Sequence, residues 1–246
     1  MHIVTTSWDD GDIRDLRIAE LLVQYGMKGS FYVPVKPFNG QPSLNAEQMR
    51  QMTATGMEIG AHGVDHEIMS ELTLDQTKAV VRESKRFLED TLGSEVPMFC
   101  YPRGRYTTQT MRCLEEAGYR GARTTRMLST STQFNKYQMP TSAQVYPHPP
   151  VRYMRNLARH KNVVGMFDYL FRLRGEQDWV QLGKTLFDRV ERQGGVWHLY
   201  GHSWEIDQLG LWGGFEELLK YVSRRDDVRY LTNSQVLQHL TASALN

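Results

Sequence analysis

Two pairs of side chains in this 246-residue chain have the types and spacing of a metal site. Asp9 and Asp10 stand side by side where an apolar run breaks into a loop, and His62 and His66 lie four residues apart after a later apolar run. Two imidazoles and one carboxylate fill three positions around a divalent ion and leave a fourth for water. The second carboxylate is then free to serve as a general base. The pattern therefore indicates hydrolysis.

Each pair taken alone also has an ordinary explanation. Asp-Asp-Gly is common turn chemistry, and many surface histidines lie four residues apart without binding anything. Gly60 and Gly63 around His62 indicate that its ring projects from an irregular turn and not from a long helix. Both pairs follow predicted strands, so their joint occurrence favours a metal site. A mixed His and Asp ligand set suits zinc, and also cobalt, nickel or iron.

A third group of candidate residues surrounds a glycine near the end of another apolar run. His198 and His202 flank Leu-Tyr-Gly, so alternation along the strand turns one imidazole inward and leaves the other at the strand's end. His202 is the better candidate for a general acid that protonates a leaving amine. The alternative is a structural histidine bound to a backbone carbonyl.

Aromatic and acidic side chains lie beside His202 in the sequence. Tyr200 and Trp204 could stack on a sugar ring, and packing in an aromatic core explains them equally well. Glu205 and Asp207 could each orient the imidazole or face solvent. The sequence favours neither carboxylate.

Short apolar runs alternate with helical patterns along the chain, which is typical of βα units around a parallel sheet. The predicted strands cover residues 3–8, 29–33, 57–61, 97–101, 119–122, a weak segment within 138–145, 195–200 and 228–231. The clearest predicted helices cover residues 13–25, 73–92 and 111–117. Seven or eight strands without a Gly-rich phosphate loop after the first favour an α/β barrel over a nucleotide-binding sheet. No linker or repeat interrupts the pattern, so a single domain over residues 1–246 is predicted.

The candidate residues all fall at equivalent places in such a barrel. Catalytic groups of parallel barrels gather on the loops that follow the carboxyl ends of the strands. The two aspartates follow the first predicted strand, the two histidines follow the third, Arg103 follows the fourth, and His202 follows the strand at 195–200. We therefore expect these side chains to share one rim.

Composition excludes several other classes of protein. A net charge of +1 argues against a nucleic-acid partner, because such proteins usually carry a basic excess. Arg152, Arg155 and Arg159 are interpreted as a solvated helix face. Two cysteines give neither a disulfide framework nor a zinc finger. No run has the length of a membrane span, and the chain starts directly with a strand, so a cytoplasmic location is expected. Oligomeric state is left open.

Several motifs occur in the order found in the polysaccharide deacetylase family, carbohydrate esterase family four. They are Ser-Trp-Asp-Asp-Gly at 7–11, His-Gly-Val-Asp-His at 62–66, Tyr-Pro-Arg-Gly at 101–104 and Leu-Tyr-Gly-His at 199–202. The chain also resembles that family in Gly-Ser-Phe-Tyr-Val-Pro at 29–34 and Glu-Ile-Gly-Ala-His at 58–62. The resemblance spans residues 3 to about 202.

The resemblance implies a distorted (β/α) barrel that removes acyl groups, usually acetyl, from N-acylated sugars with the help of a divalent metal. It implies that Asp9 is the catalytic base and that His202 is the catalytic acid. Asp10, His62 and His66 would hold the metal, most simply zinc.

The motif at 101–104 would line the substrate groove in such a protein. Tyr101, Pro102 and Arg103 are the residues concerned, and the backbone N–H of Arg103 would help to hold the oxyanion. Tyr200 and Trp204 complete the expected substrate contacts.

The chain departs from the family pattern at two places. The family's third motif usually begins with an arginine that steadies the base, and Cys100 stands there instead. Arg103, Arg105 or Arg123 could supply the charge, and the sequence does not distinguish them. Asp178-Trp179 matches the family's Asp-Trp motif only loosely and could simply begin a helix.

Three other functions compete with an N-acyl sugar hydrolase. A carbohydrate-binding barrel without turnover is compatible with Cys100, and a deacylase of a non-sugar amide would use the same residues. A sugar isomerase would need more acidic metal ligands than the strand ends provide. A cytoplasmic enzyme would not meet cell-wall polymer, so a soluble sugar, a lipid- or nucleotide-linked precursor, or a small amide becomes the expected substrate.

Overall fold

The computed structural model describes residues 1–244, and every pairing between its strands is parallel. The strands are β1 (His2–Asp9), β2 (Gly29–Val33), β3 (Glu58–Ala61), β4 (Met98–Cys100), β5 (Gly121–Arg123), β6 (Ala143–Gln144), β7 (Gly195–Gly201) and β8 (Val228–Tyr230). The predicted strands are all present, and β2 has the predicted bounds. The short strands β4, β5 and β6 differ from prediction by one or more residues at their ends.

The strands form a curled sheet in the order β5-β4-β3-β2-β1-β7-β6, with β8 beside the start of β1. A parallel bridge between Arg123 and Met139 connects the β5 edge to the segment before β6. Ser142, just before β6, donates its N–H to the carbonyl of His198 on β7 at 2.8 Å. These contacts draw the two edges toward each other, so the prediction of a distorted (β/α) barrel with seven or eight parallel strands is confirmed.

Helices connect the strands and cover the outside of the barrel. They are α1 (Asp15–Gln24), α2 (Ala46–Ala54), α3 (Leu74–Leu92), α4 (Thr108–Glu116), α5 (Pro150–Arg159), α6 (Val163–Phe167), α7 (Trp179–Gln193), α8 (Ser203–Gln208), α9 (Trp212–Val222) and α10 (Asn233–Ala244). A capping box begins α3, since Thr73 and Gln76 bond reciprocally, and Gly93 ends the helix in a left-handed conformation. Asp178 caps α7, so the Asp178-Trp179 pair begins a helix.

The first turn of α4 was outside the predicted helix. Thr107 caps it by accepting from the backbone N–H of Thr110, whose side chain bonds back to Thr107. Because the residues of that turn are polar, the apolar periodicity begins only at Met111. The capping threonines therefore extend the helix beyond its periodic segment.

The last helix closes the amino-terminal end of the barrel. Val236 of α10 packs with Ile3, Met98 and Val196 inside the barrel. Asn233, at the start of α10, accepts from the Thr5 hydroxyl at 2.9 Å and donates to the Tyr32 hydroxyl at 2.8 Å. One end of the barrel is thus filled, and the carboxyl-terminal end is left for a site.

Across residues 1–244, none of the helices has both the length and the apolar sequence that crossing a bilayer requires.

Candidate active site

The turn after β1 separates the two adjacent aspartates. Asp9 is the last residue of β1, and Asp10 has a left-handed backbone with φ 77°. Gly11 follows with φ 61°, and a Cβ there would lie 2.8 Å from the Val33 side chain. The chain therefore turns sharply at the rim, and the two carboxylates reach different partners.

The turn after β3 directs two imidazoles to one oxygen. His62 donates its Nδ1–H to the carbonyl of Cys100 at 2.9 Å, which leaves Nε2 unprotonated in the neutral ring. His66 has a left-handed φ of 52°. The Nε2 atoms of both rings lie 3.6 Å from Oδ1 of Asp10. The Glu67 carboxylate supports this turn by accepting from the N–H groups of Val64 and Asp65, each at 3.0 Å.

The donor set at this point fits a divalent metal. Ligand atoms of Asp10, His62 and His66 all lie within 4.8 Å of one another. Oδ2 of Asp10 accepts from Nε1 of Trp204 at 2.9 Å, but Oδ1 is buried and has no hydrogen-bond partner. A buried carboxylate oxygen without a partner costs several kcal/mol, and a cation between the three groups removes that cost. Burial and the nearby His62 lower the pKa of His66 to about 4, so its ring is neutral and able to ligate at neutral pH.

A second set of close donors consists of Asp9, His62 and Cys100. It fits a metal less well, because Nδ1 of His62 is already bonded and Asp9 is paired with Arg123. Burial also raises the pKa of the Cys100 thiol well above its usual value, so the thiolate that binds metal is disfavoured.

Arg123 supplies the charge that the sequence left unassigned. It is fully buried on β5, directly opposite Cys100 in the register with β4, and its guanidinium forms an ion pair with Asp9. The guanidinium lies between the rings of Tyr32 and Tyr200, 5.3 and 5.0 Å from their centroids. Burial alone would raise the pKa of Asp9, but the charges of Arg123 and two histidines outweigh it and hold that pKa at about 2. The other two candidates, Arg103 and Arg105, are exposed.

His202 follows β7 and faces the aspartates. Its Nε2 lies 3.8 Å from Oδ2 of Asp9 and 4.0 Å from Oδ2 of Asp10. Nδ1 bonds to Oε2 of Glu205 at 2.6 Å, so Glu205 is the carboxylate that orients the ring. Burial lowers the pKa of His202, but Glu205 and the two aspartates outweigh it and raise that pKa to about 9. The ring is therefore protonated at neutral pH.

The neighbouring polar residues have structural partners. The buried His198 bonds to Ser7 at 2.8 Å through Nε2 and to the carbonyl of Pro140 at 2.9 Å through Nδ1. Asp207 accepts from Arg14 and from Trp212, each at 3.0 Å, and takes no part in the site.

A cleft of about 750 Å³ opens above the aspartates and histidines. Its wall includes an aromatic residue from the loop after β2, Phe38, whose ring lies 4.5 Å from His66 and 6.4 Å from Trp204. Gln144, Tyr146 and His148 line another part of the cleft. None of these four residues was predicted from the sequence. Phe38 could have been found, because it follows a strand at the carboxyl end as the other site residues do.

The expected substrate contacts are only partly in this cleft. Arg103, Tyr200 and Trp204 line it, although Tyr200 is only 3% exposed and donates its hydroxyl to Gln144 at 2.5 Å. Tyr101 and Pro102 do not line it, contrary to expectation. Tyr101 turns into the core because its hydroxyl donates to the carbonyl of Tyr137 at 3.0 Å and its side chain is fully buried.

This chain is similar in sequence to a known family and to a bacterial protein. A sequence model of the family described as polysaccharide deacetylase matches residues 2–122. The chain is 28% identical over 137 residues to YxkH of Bacillus subtilis (strain 168), whose name assigns it only provisionally to the polysaccharide deacetylases. That alignment covers 55% of this chain and 49% of YxkH, so it spans about half the length of this relative.

Solved structures with the same fold are more distant in sequence. A protein from Mycobacterium smegmatis, provisionally described as a polysaccharide deacetylase, has a TM-score of 0.71 at 17% identity, covering 99% of this chain and 91% of that one. The Streptococcus pyogenes deacetylase PplD, in complex with acetate, has a TM-score of 0.52 at 22% identity, covering 55% and 62%. A pseudoenzyme of carbohydrate esterase family four from Bacillus anthracis has a TM-score of 0.56 at 14% identity, covering 96% and 65%. At these identities the similarity concerns the fold, which active and inactive proteins share.

Proposed function

We propose that this chain is a member of the polysaccharide deacetylase family, because a sequence model of that family matches residues 2–122, and that it is a metal-dependent hydrolase of an N-acylated sugar or a related amide. It removes an acyl group, in the simplest case acetyl, and residues 1–246 form one catalytic domain. The observation that carries the proposal is the buried, unpartnered Oδ1 of Asp10 between the imidazoles of His62 and His66. The proposed base and acid, Asp9 and His202, stand beside it.

Asp10, His62 and His66 are the residues that would hold the metal, with zinc the simplest choice for this donor set. Such an ion, when bound, polarises the acyl carbonyl and increases the acidity of water. The carboxylate of Asp9, kept ionised by Arg123, accepts the proton that the attacking water loses.

His202 supplies the proton for the leaving nitrogen. Glu205 holds Nδ1, so Nε2 carries its proton toward the space in front of Asp9. Acid and base therefore face the same reacting bond from different strands. Proton uptake by Asp9 and proton release by His202 balance, and the products are a carboxylic acid and a free amine.

The first test of this function measures bound metal. We expect the purified protein to contain one divalent ion per chain, and His62→Ala and His66→Ala each to lose most of it, because each variant removes one of three protein ligands. His239→Ala, a change on α10 at the other end of the barrel, is the matched control and should keep its metal. Elemental analysis of the three variants, with circular dichroism to confirm folding, checks this. Full metal retention in both site variants would refute the assignment.

The second test measures acetate released from a panel of N-acetylated sugars and small amides by the metal-loaded protein. Turnover that disappears on chelation and returns with zinc supports the proposal. A protein that binds metal at this site but releases no acetate from any member of the panel would instead be an inactive barrel.

A further inference from the structure

Five arginines line the cleft above the proposed metal ligands. We call them the arginine wall, and they are Arg103, Arg105, Arg152, Arg155 and Arg159. All five are exposed to the cleft's solvent. The cleft also contains three carboxylates, and each of these already has a cationic partner or hydrogen-bond donor: Asp9 has Arg123, Asp10 has Trp204, and Glu205 has His202.

The charge of the arginine wall is not neutralised by the protein. Within residues 1–244, none of the five guanidiniums forms an ion pair or donates a hydrogen bond, whereas arginines elsewhere, such as Arg14, Arg120 and Arg189, pair with carboxylates. The whole chain has a net charge of only +1. A concentration of five unpaired positive charges in one cleft therefore differs from the balanced surface around it.

The helix α5 fixes three members of the wall in a row. Arg152, Arg155 and Arg159 follow the spacing i, i+3, i+7, which puts them on one helical face over a length of about 10 Å. Asn156 anchors the helix on the barrel side, donating to the carbonyl of Thr125 at 2.6 Å and accepting from the N–H of Met127 at 3.0 Å. This face is exposed to solvent, as expected from the sequence, and it lines the cleft.

We propose that the arginine wall binds phosphate groups, so that the substrate is an N-acyl sugar carrying a phosphate or diphosphate. The inference rests on the proposed function, because it assigns a substrate class to the same site. Guanidiniums bind phosphate oxygens in pairs of parallel hydrogen bonds, and an array about 10 Å long matches an extended anion such as a diphosphate better than a single carboxylate. A neutral polysaccharide would leave all five charges unpaired.

A neighbouring histidine does not add to this charge. His148 lines the same cleft and bonds through Nε2 to Gln144 at 2.7 Å. Burial and the charge of Arg152 lower its pKa to about 4, so it is neutral under ordinary conditions. The arginines alone therefore provide the positive charge of the wall.

Binding to the metal-free protein tests the inference independently of turnover. Calorimetric titration should show that N-acetylglucosamine 1-phosphate and uridine-diphosphate N-acetylglucosamine bind at least tenfold more tightly than N-acetylglucosamine. Higher salt should reduce this preference, because the contacts are ionic. The double variant Arg152→Gln/Arg155→Gln should lose most of it. The matched control is Arg82→Gln/Arg112→Gln, which removes two exposed arginines on α3 and α4 and should keep it.

The same ligands, with a prenyl-diphosphate-linked N-acetylglucosamine in detergent, then serve as substrates of the metal-loaded protein. Turnover of the nucleotide or the lipid form in preference to the neutral sugar supports the inference and identifies the source of the diphosphate. Phosphate-dependent binding without acetate release would contradict the proposed function and leave only the phosphate-binding role of the arginine wall standing. Equal binding of phosphorylated and neutral sugars, an equal effect of both double variants, or tighter binding of an N-acetylated uronic acid than of the phosphates would overturn it.

Discussion

Asp9 and Asp10 are adjacent and chemically identical, and their surroundings give them different properties. Asp9 is paired with a buried arginine, whereas Oδ1 of Asp10 faces two imidazoles and has no hydrogen-bond partner. The left-handed backbone at Asp10 produces this difference, because it turns the second carboxylate away from the first. A pair that looks redundant in the sequence is thus divided into a proposed base and a proposed ligand.

We predict that Asp9→Asn keeps its metal and loses hydrolysis by a factor on the order of 10²–10⁴, the usual contribution of a general base. The amide preserves the size of the side chain but cannot accept the proton. Asp10→Asn is the comparison and should lose metal. Elemental analysis beside initial rates distinguishes the two variants, and equal metal loss in both would show that the roles have been divided wrongly.

We predict that His202→Ala slows turnover of a sugar amide much more than turnover of an activated aryl ester. A good leaving group needs little protonation, whereas an amine does not leave without it. Rates on both substrates at the same metal content provide the measurement. Equal losses on amide and ester would return His202 to a structural role.

The site residues that the sequence could identify are those that carry their own local signal. Asp9 ends a strand, the other four come after the carboxyl ends of strands, and the structure brings all five together: Asp9, Asp10, His62, His66 and His202. Glu205 could not be chosen over Asp207, because the choice depends on which carboxylate the helix α8 turns toward the imidazole. The structure places Tyr101 in the core and not along the cleft, and a motif does not show on which side of the chain a ring is buried.

At the scale of elements, strand register decides which arginine reaches Asp9, the proposed base. Cys100 and Arg123 are 23 residues apart in sequence and directly opposed between β4 and β5. The register between two strands cannot be predicted from either strand alone, so the sequence did not show which of three arginines pairs with Asp9. The direction of α5 could not be predicted from the sequence either, because the segment before this helix has no clear apolar periodicity. The side of the barrel that its arginines face follows only from the fold.

We predict that the exchange Cys100→Arg/Arg123→Cys recovers activity that Arg123→Cys loses. The single change leaves a buried carboxylate without its cation and should destabilise the fold by about 3–5 kcal/mol. The exchange returns a guanidinium to the neighbouring strand, within reach of Asp9. Urea unfolding of both variants shows whether the free energy of unfolding is recovered. Acetate release shows whether the activity that depends on Asp9 is recovered. A double variant no more stable or active than the single one would contradict this.

At the scale of the molecule, the barrel interior is filled by paired polar groups as well as by apolar ones. His198 is one of them: burial and the charge of Arg123 lower its pKa to about 3. In the unfolded chain the pKa of His198 returns to about 6.5, so below that pH the unfolded state binds a proton that the folded state does not bind. The neutral, buried His198 therefore lowers the free energy of unfolding only in acid: this free energy keeps its full value above about pH 6.5 and decreases as the pH falls toward 3.

We predict that His198→Gln makes the free energy of unfolding less sensitive to pH between 6.5 and 4. The glutamine can donate to Pro140 but does not titrate, so the variant should lack a slope of at most about 1.4 kcal/mol per pH unit. Urea unfolding at several pH values gives the slope, with His239→Gln on α10 as the control. Parallel curves for His198→Gln and the unchanged protein would be inconsistent with this account.

The central place of β1 in the sheet has a consequence for synthesis on the ribosome. This strand ends at Asp9, directly before Asp10, and is made before the other described strands, but its longest pairing is with β7, which begins about 190 residues later. At about 5–20 residues per second, roughly 10–40 s pass before that partner exists. During that time β1 has only β2 as a neighbour, so its other edge is unpaired. Chaperones can bind this edge, and other chains can pair with it and aggregate. The site around Asp9 and Asp10 is therefore completed only after β7 and His202 have been made.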